Sequence, residues 1–166
     1  LANTKQALVN QDENEIRMRR ALRADDGFYS TFVLRKISQK VSKFAIKKNW
    51  TPNQITVASL IVALVVALFF ATGWWPLMIL GATGVQASII IDCADGEVAR
   101  FTGVSSQRGA WLDAATDRIK EYALYAGLAF GASHHGMNLW PLAMGVMVLQ
   151  TVRHISDYNF NAVQVI

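Results

Sequence analysis

From Asn49 to Ile91 the chain carries no charged side chain. One membrane crossing needs about 20 apolar residues, so this run is long enough for two, divided at Gly73-Trp74-Trp75-Pro76. The spacing predicts one helix over 52–72, with Thr51 as N-cap and Pro52 as first helical residue, and a second over 76–100. A third is predicted over 109–133, followed by a turn at His134-His135-Gly136-Met137-Asn138, where both histidines read as turn residues. A fourth apolar segment, 139–152, ends at Arg153-His154, and a polar stretch closes the sequence. The expected fold class is therefore an all-α integral membrane protein. Its transmembrane helical bundle, residues 49–166, holds about four helices. A soluble helical protein with a large core is the competing reading.

The excess of positive charge lies at the front. Residues 1–50 hold eleven Lys/Arg against five Asp/Glu, and 51–166 hold five against seven. A basic head on an apolar body points to membrane lipid as partner and not to nucleic acid, because a soluble nucleic-acid binder has no use for the apolar runs. Residues 1–27 are polar and mixed in charge, a linker or solvated helix. Over 28–48, Leu34, Ile37, Val41 and Phe44 repeat at three- and four-residue steps opposite Arg35, Lys36, Lys40, Lys43 and Lys47. Such a basic amphipathic helix fits the headgroup layer, or a partner domain. The single cysteine, Cys93, excludes an intrachain disulfide and reads as a small buried residue. No signal peptide is visible at the start, and a first residue of Leu points to sequence missing upstream.

Basic residues also set the expected topology. Lys/Arg occur in the head, in the 100–108 loop and at Arg153, and are absent from the turns at 73–76 and 134–138. The positive-inside rule then puts the head, that loop and the tail in the cytoplasm of a multi-pass protein of the cell membrane. Trp50 and Trp111 fall at the inner interface, and Trp74, Trp75 and Trp140 at the outer one.

On this layout four carboxylates meet at one depth. Asp92 and Asp95 are three apart at the end of the second helix, and Asp113 and Asp117 four apart at the start of the third. Residues three or four apart share a helix face, so each pair can point at a common spot. Carboxylates at a bilayer mark function by default. Four facing one another call for divalent cations, and all-oxygen ligands suit Mg²⁺, Mn²⁺ or Ca²⁺ over a soft metal. Gly96, Ala99, Arg100 and Gly109 supply small residues and a cation suited to a close-fitting phosphate ligand.

These residues form D-x-x-D-G-x-x-A-R-x8-G-x3-D-x3-D from Asp92 to Asp117. The pattern resembles in full the signature of the CDP-alcohol phosphotransferases, integral membrane enzymes of phospholipid and related phosphodiester synthesis. The resemblance implies two ions, Mg²⁺ or Mn²⁺, one held by Asp92, Asp95 and Asp113 and the other by Asp92, Asp113 and Asp117. It implies a CDP pocket lined by Asp95, Gly96, Ala99, Arg100 and Gly109, with Asn53 and Thr56 beside the nucleotide. Asp117 would be the general base that takes the acceptor's proton, and CMP would leave. The donor would be CDP-diacylglycerol or CDP-inositol. The acceptor would be inositol phosphate or glycerol phosphate, held by Arg118 and Arg153, with Lys120 and His154 as weaker candidates.

The DDGFYS, LRKIS and TPNQIT segments look like the branch that joins CDP-inositol to inositol phosphate, often fused to a cytidylyltransferase domain. Family members usually have six transmembrane helices, so about four implies a C-terminally incomplete domain. A homodimer is expected, and Gly127 and Gly131, four apart, would permit close helix packing. Two other classes compete: a divalent-cation transporter, and a catalytically inactive membrane anchor. Nothing acidic continues toward Trp74 or His135, as an ion path would require.

Overall fold

The computed structural model describes residues 35–104 and 106–164, and every regular element among them is a helix. In order these are α1 (Arg35–Lys47), α2 (Pro52–Ala71), α3 (Trp75–Thr102), α4 (Gln107–Ser133) and α5 (Trp140–Gln164). The polar segment 1–27 and the first part of the amphipathic helix, 28–34, lie outside the described residues. α2 and α3 are long and apolar enough to cross a membrane by length and composition.

Local chemistry sets the helix ends. Thr51 and Gln54 form a reciprocal box at the start of α2: Gln54 N donates to Thr51 Oγ1 at 3.4 Å, and Thr51 N donates to Gln54 Oε1 at 2.9 Å. Such a box satisfies two backbone donors that a helix start otherwise leaves open. Thr51→Ala is expected to cost about 1 kcal/mol, read as a lowered thermal midpoint with α2 fraying first in amide exchange. At the other end of α1, Asn49 adopts φ 56° and Trp50 N reaches back to Ala45 O at 2.9 Å. That is a Schellman ending in which Asn takes the left-handed position usually given to Gly.

The last helix corrects the sequence reading. The apolar segment was expected to stop at Arg153-His154, yet α5 runs on to Gln164. Hydropathy falls there, but no Pro or Gly follows to end the helix, and falling hydropathy alone does not break one.

Two compact units share the chain: Leu1–Ser59 with Gln86–Thr116, and Leu60–Val85 with Asp117–Ile166. In the first, Ala45 of α1, Ile55 of α2 and Ala94 and Val98 of α3 form the buried cluster, with Val41, Ile46 and Ile91 packed on it. α1 turns Ser38, Ser42 and Ala45 inward and leaves Ile37 and Phe44 exposed. Phe44 stacks edge-on with Trp50, ring centres 6.4 Å apart. Cys93 is exposed, not buried as expected, because it falls 100° around α3 from Ala94.

In the second unit α4 presents glycines to α2. A Cβ on Gly127 would collide with the Ala67 carbonyl, and one on Gly131 with the Phe70 carbonyl. The close helix packing that this small-residue pair permits is thus made within the chain. His135 Nε2 donates to Gly73 O at 2.8 Å and ties the two turns of this unit. Trp50, Trp74, Trp75, Trp111 and Trp140 are all exposed, as suits side chains with an apolar body and a polar edge at a membrane boundary.

Candidate active site

The first unit brings together three of the four signature carboxylates. Ligand oxygens of Asp92, Asp95 and Asp113 lie within 4.8 Å of one another, with Asp95 buried and the other two half-buried. α3 supplies the first two from a single face, and α4 supplies the third. Hydroxyls of α2 fix the α3 pair: Thr56 Oγ1 donates to Asp95 Oδ2 at 2.6 Å, and Ser59 Oγ to Asp92 Oδ1 at 3.0 Å. Ser88 Oγ in turn donates to the Ser59 carbonyl at 3.0 Å. Three negative groups this close, out of bulk water, repel strongly. The donor set is all oxygen, already oriented and in need of positive charge, and so fits a hard divalent cation.

Beside the cluster lies a cavity of about 440 Å³. Asn53 and Thr56 line it from α2, and Asp95, Gly96, Ala99 and Arg100 from α3, with Gly109 and Asp113 of α4 closing it. These include all seven residues that the sequence pattern assigned to CDP. The glycines keep the space open. A Cβ on Gly96 would come 3.1 Å from Arg100 Nη1, and one on Gly109 would meet Ser106 Oγ at 3.2 Å and Asn53 Oδ1 at 3.3 Å. The Thr56 hydroxyl is engaged by Asp95 and by the Pro52 carbonyl.

The fourth carboxylate, Asp117, follows Asp113 by one turn of α4 and falls in the second unit. Its Oδ1 pairs with Lys120 Nζ at 2.7 Å. Of the acceptor candidates, Arg118 pairs through Nη1 with Glu121 Oε2 at 2.8 Å, and Arg153 is exposed on α5. His154 Nε2 lies 3.5 Å from the same Glu121 oxygen, and Tyr122 hydrogen-bonds Thr151 between α4 and α5.

Sequence reasoning missed Ser59, which holds Asp92, and Ser106, whose Oγ caps α4 by accepting from Gly109 N at 3.0 Å. A signal existed for both. Ser59 is three residues beyond Thr56, on the same face of α2, and Ser106 stands three before Gly109 at a helix start.

The model of the CDP-alcohol phosphatidyltransferase family matches residues 49–165, all but the head of the chain. The chain belongs to this family. Among curated relatives, it is 36% identical over 106 residues to the bifunctional IPC transferase and DIPP synthase of Aquifex aeolicus, covering 63% of this chain and 23% of that protein. It is 32% identical over 126 residues to the phosphatidylinositol phosphate synthase of Mycolicibacterium smegmatis, covering 74% and 54%. A second bifunctional IPC transferase and DIPP synthase, from Thermococcus kodakarensis, is 36% identical over 107 residues, covering 63% and 23%. The chain therefore spans about a quarter to a half of the length of these relatives. The family is one of membrane proteins, in keeping with α2 and α3.

Proposed function

We propose that this chain transfers a substituted phosphate group from a CDP-alcohol to the hydroxyl of an acceptor, releasing CMP, at the cytoplasmic face of the cell membrane. The observation that carries this reading is the junction of three clustered carboxylates with a cavity lined by Gly96, Arg100 and Gly109. Asp92, Asp95, Asp113 and Asp117 would hold two ions, Mg²⁺ or Mn²⁺, whose charge offsets that of the pyrophosphate. Arg100 adds a fixed cation to the cavity wall, and Gly96 and Gly109 let the nucleotide approach the helix backbones. A carboxylate oxygen of Asp117 accepts the proton of the acceptor hydroxyl. The acceptor oxygen then bonds to the β-phosphorus of the donor, the bond from that phosphorus to the bridging oxygen breaks, and CMP leaves with that oxygen.

The relatives named for phosphatidylinositol phosphate and DIPP synthesis favour CDP-diacylglycerol or CDP-inositol as donor and inositol phosphate or glycerol phosphate as acceptor. Arg118 and Arg153 are the cations proposed for the acceptor phosphate. Multi-pass insertion with a cytoplasmic N-terminus is supported by the uncharged turns and the exposed tryptophans. Assembly as a homodimer belongs to the same reading, through a surface other than Gly127 and Gly131.

The test is CMP release by the purified chain with Mg²⁺, offering each donor with each acceptor. One productive pair is expected. EDTA should abolish the release and added Mg²⁺ or Mn²⁺ restore it. Mg²⁺ should also raise the thermal midpoint without substrate, since a ligand that binds only the folded state stabilises it. No CMP from any pair, with CDP still bound, would favour an inactive membrane anchor.

A further inference from the structure

One buried acid in the signature segment has no part in the chemistry described so far. Glu97 follows Gly96 on α3 and is only 3% exposed. Burying a carboxylate is costly unless its oxygens find donors, and both do, on α1. Ser38 Oγ donates to Oε1 at 2.7 Å and Ser42 Oγ to Oε2 at 2.6 Å. The two serines are fully buried and one turn apart, so they project from one face of α1. Two donors meeting the two oxygens of one carboxylate allow a single register. Sliding α1 by a turn would leave one oxygen of a buried charge unmet, a penalty that specifies alignment more than it adds stability. Charge-assisted bonds of this length are also the stronger kind.

α3 is thereby gripped from two directions. Thr56 and Ser59 of α2 hold Asp95 and Asp92, and Ser38 and Ser42 of α1 hold Glu97, two residues beyond Asp95. Rotation of α3 about its axis would break both sets at once and swing Asp92 and Asp95 away from Asp113. We propose that Glu97 is a positioning residue for the transfer reaction, aligning the α3 carboxylates by fixing α3 against the basic helix α1. The inference rests on the transfer reading above, and it makes the seating of α1 a condition of activity.

The experiment compares Glu97→Ala with Glu97→Gln in the full chain, in lipid nanodiscs, with the productive donor and acceptor. Glutamine offers one acceptor and one donor, and a serine hydroxyl can serve either, so it can rebuild both bonds. Glu97→Ala should lower kcat about tenfold or more, as small misplacements of reacting groups do, with KM for the donor changed less than about threefold. Trypsin cleavage after Lys40, Lys43 and Lys47 of α1 should accelerate in the same variant. Glu97→Gln should restore kcat to within about threefold and return cleavage to the unmodified rate. Wild-type kcat in Glu97→Ala overturns the proposal. So does a glutamine variant as poor as alanine, which would mean that the charge acts on the site directly.

If the unmodified chain releases no CMP, the transfer reading fails. The proteolysis arm then still decides the seating of α1, and equal cleavage of Glu97→Ala and the unmodified chain overturns it. Should Glu97→Ala not fold, Ser42→Ala removes one bond only. Partial loss of kcat with faster cleavage is then expected, and no change in either overturns the inference.

Discussion

Asp113→Asn is expected to lower kcat for CMP release by on the order of 10³-fold, since stabilising transition-state charge through a bound cation is worth several kcal/mol. Asparagine keeps the shape of the side chain but withdraws one negative oxygen from the three that lie within 4.8 Å of one another. The same change should leave the thermal midpoint of the metal-free protein equal or raise it, because it relieves repulsion between like charges. Loss of activity without loss of stability separates a functional acid from a structural one. A lowered midpoint with retained turnover would sink the reading of this cluster. Asp117→Asn, one turn along α4, should cost about 10²- to 10⁴-fold in kcat, the range for a lost general base. CDP affinity, read by equilibrium binding without added Mg²⁺, should stay unchanged in that variant, since neither the proton nor the ion proposed for Asp117 then takes part.

The largest effect on stability is expected at Gly131. A Cβ there would overlap the Phe70 carbonyl, which is backbone and cannot swing aside. Gly131→Ala must therefore push α4 from α2, at a cost of about 3 kcal/mol or more. Gly127, one turn before it, meets the Ala67 carbonyl in the same way, and the double variant should not accumulate in membranes. Thermal unfolding in detergent checks the first, and expression level the second. Gly145, which has nothing near its absent side chain, provides the control: Gly145→Ala should leave the midpoint unchanged or raise it slightly, since alanine favours the helix.

Much of this architecture could be read from the chain itself. Thr51 and Pro52 announce the start of α2, and the uncharged run from Asn49 to Ile91 announces both apolar helices. Spacing put Asp92 with Asp95, and Asp113 with Asp117, on common helix faces, and the distribution of Lys and Arg set the two pairs at one depth; Asp92, Asp95 and Asp113 do converge. What stayed hidden depends on how helices rotate against one another. Ser38 and Ser42 look like polar interruptions of an amphipathic pattern, and nothing local reveals that a glutamate 59 and 55 residues away receives them. The partners of Gly127 and Gly131 were equally hidden. Four-residue spacing says that a close approach is permitted, and not whether the approaching backbone belongs to this chain or to a copy. Past Arg153 the fall in hydropathy masked a helix that continues with Ile155 and Phe160 exposed on its surface.

α3 can also be taken as a ruler. From Trp75 to Asp92 it advances seventeen residues, roughly 25 Å at 1.5 Å per residue. The hydrocarbon layer is about 30 Å thick, so an α3 that crosses it with Trp75 at one boundary, as the proposed topology has it, would bring its first carboxylate near the opposite edge without reaching open water. A donor anchored by acyl chains could present its phosphates at that depth with its tails still among the lipids. Membrane thickness then becomes a variable of the site: a thicker bilayer would draw the carboxylates under the headgroups, and a thinner one would lift them into solvent.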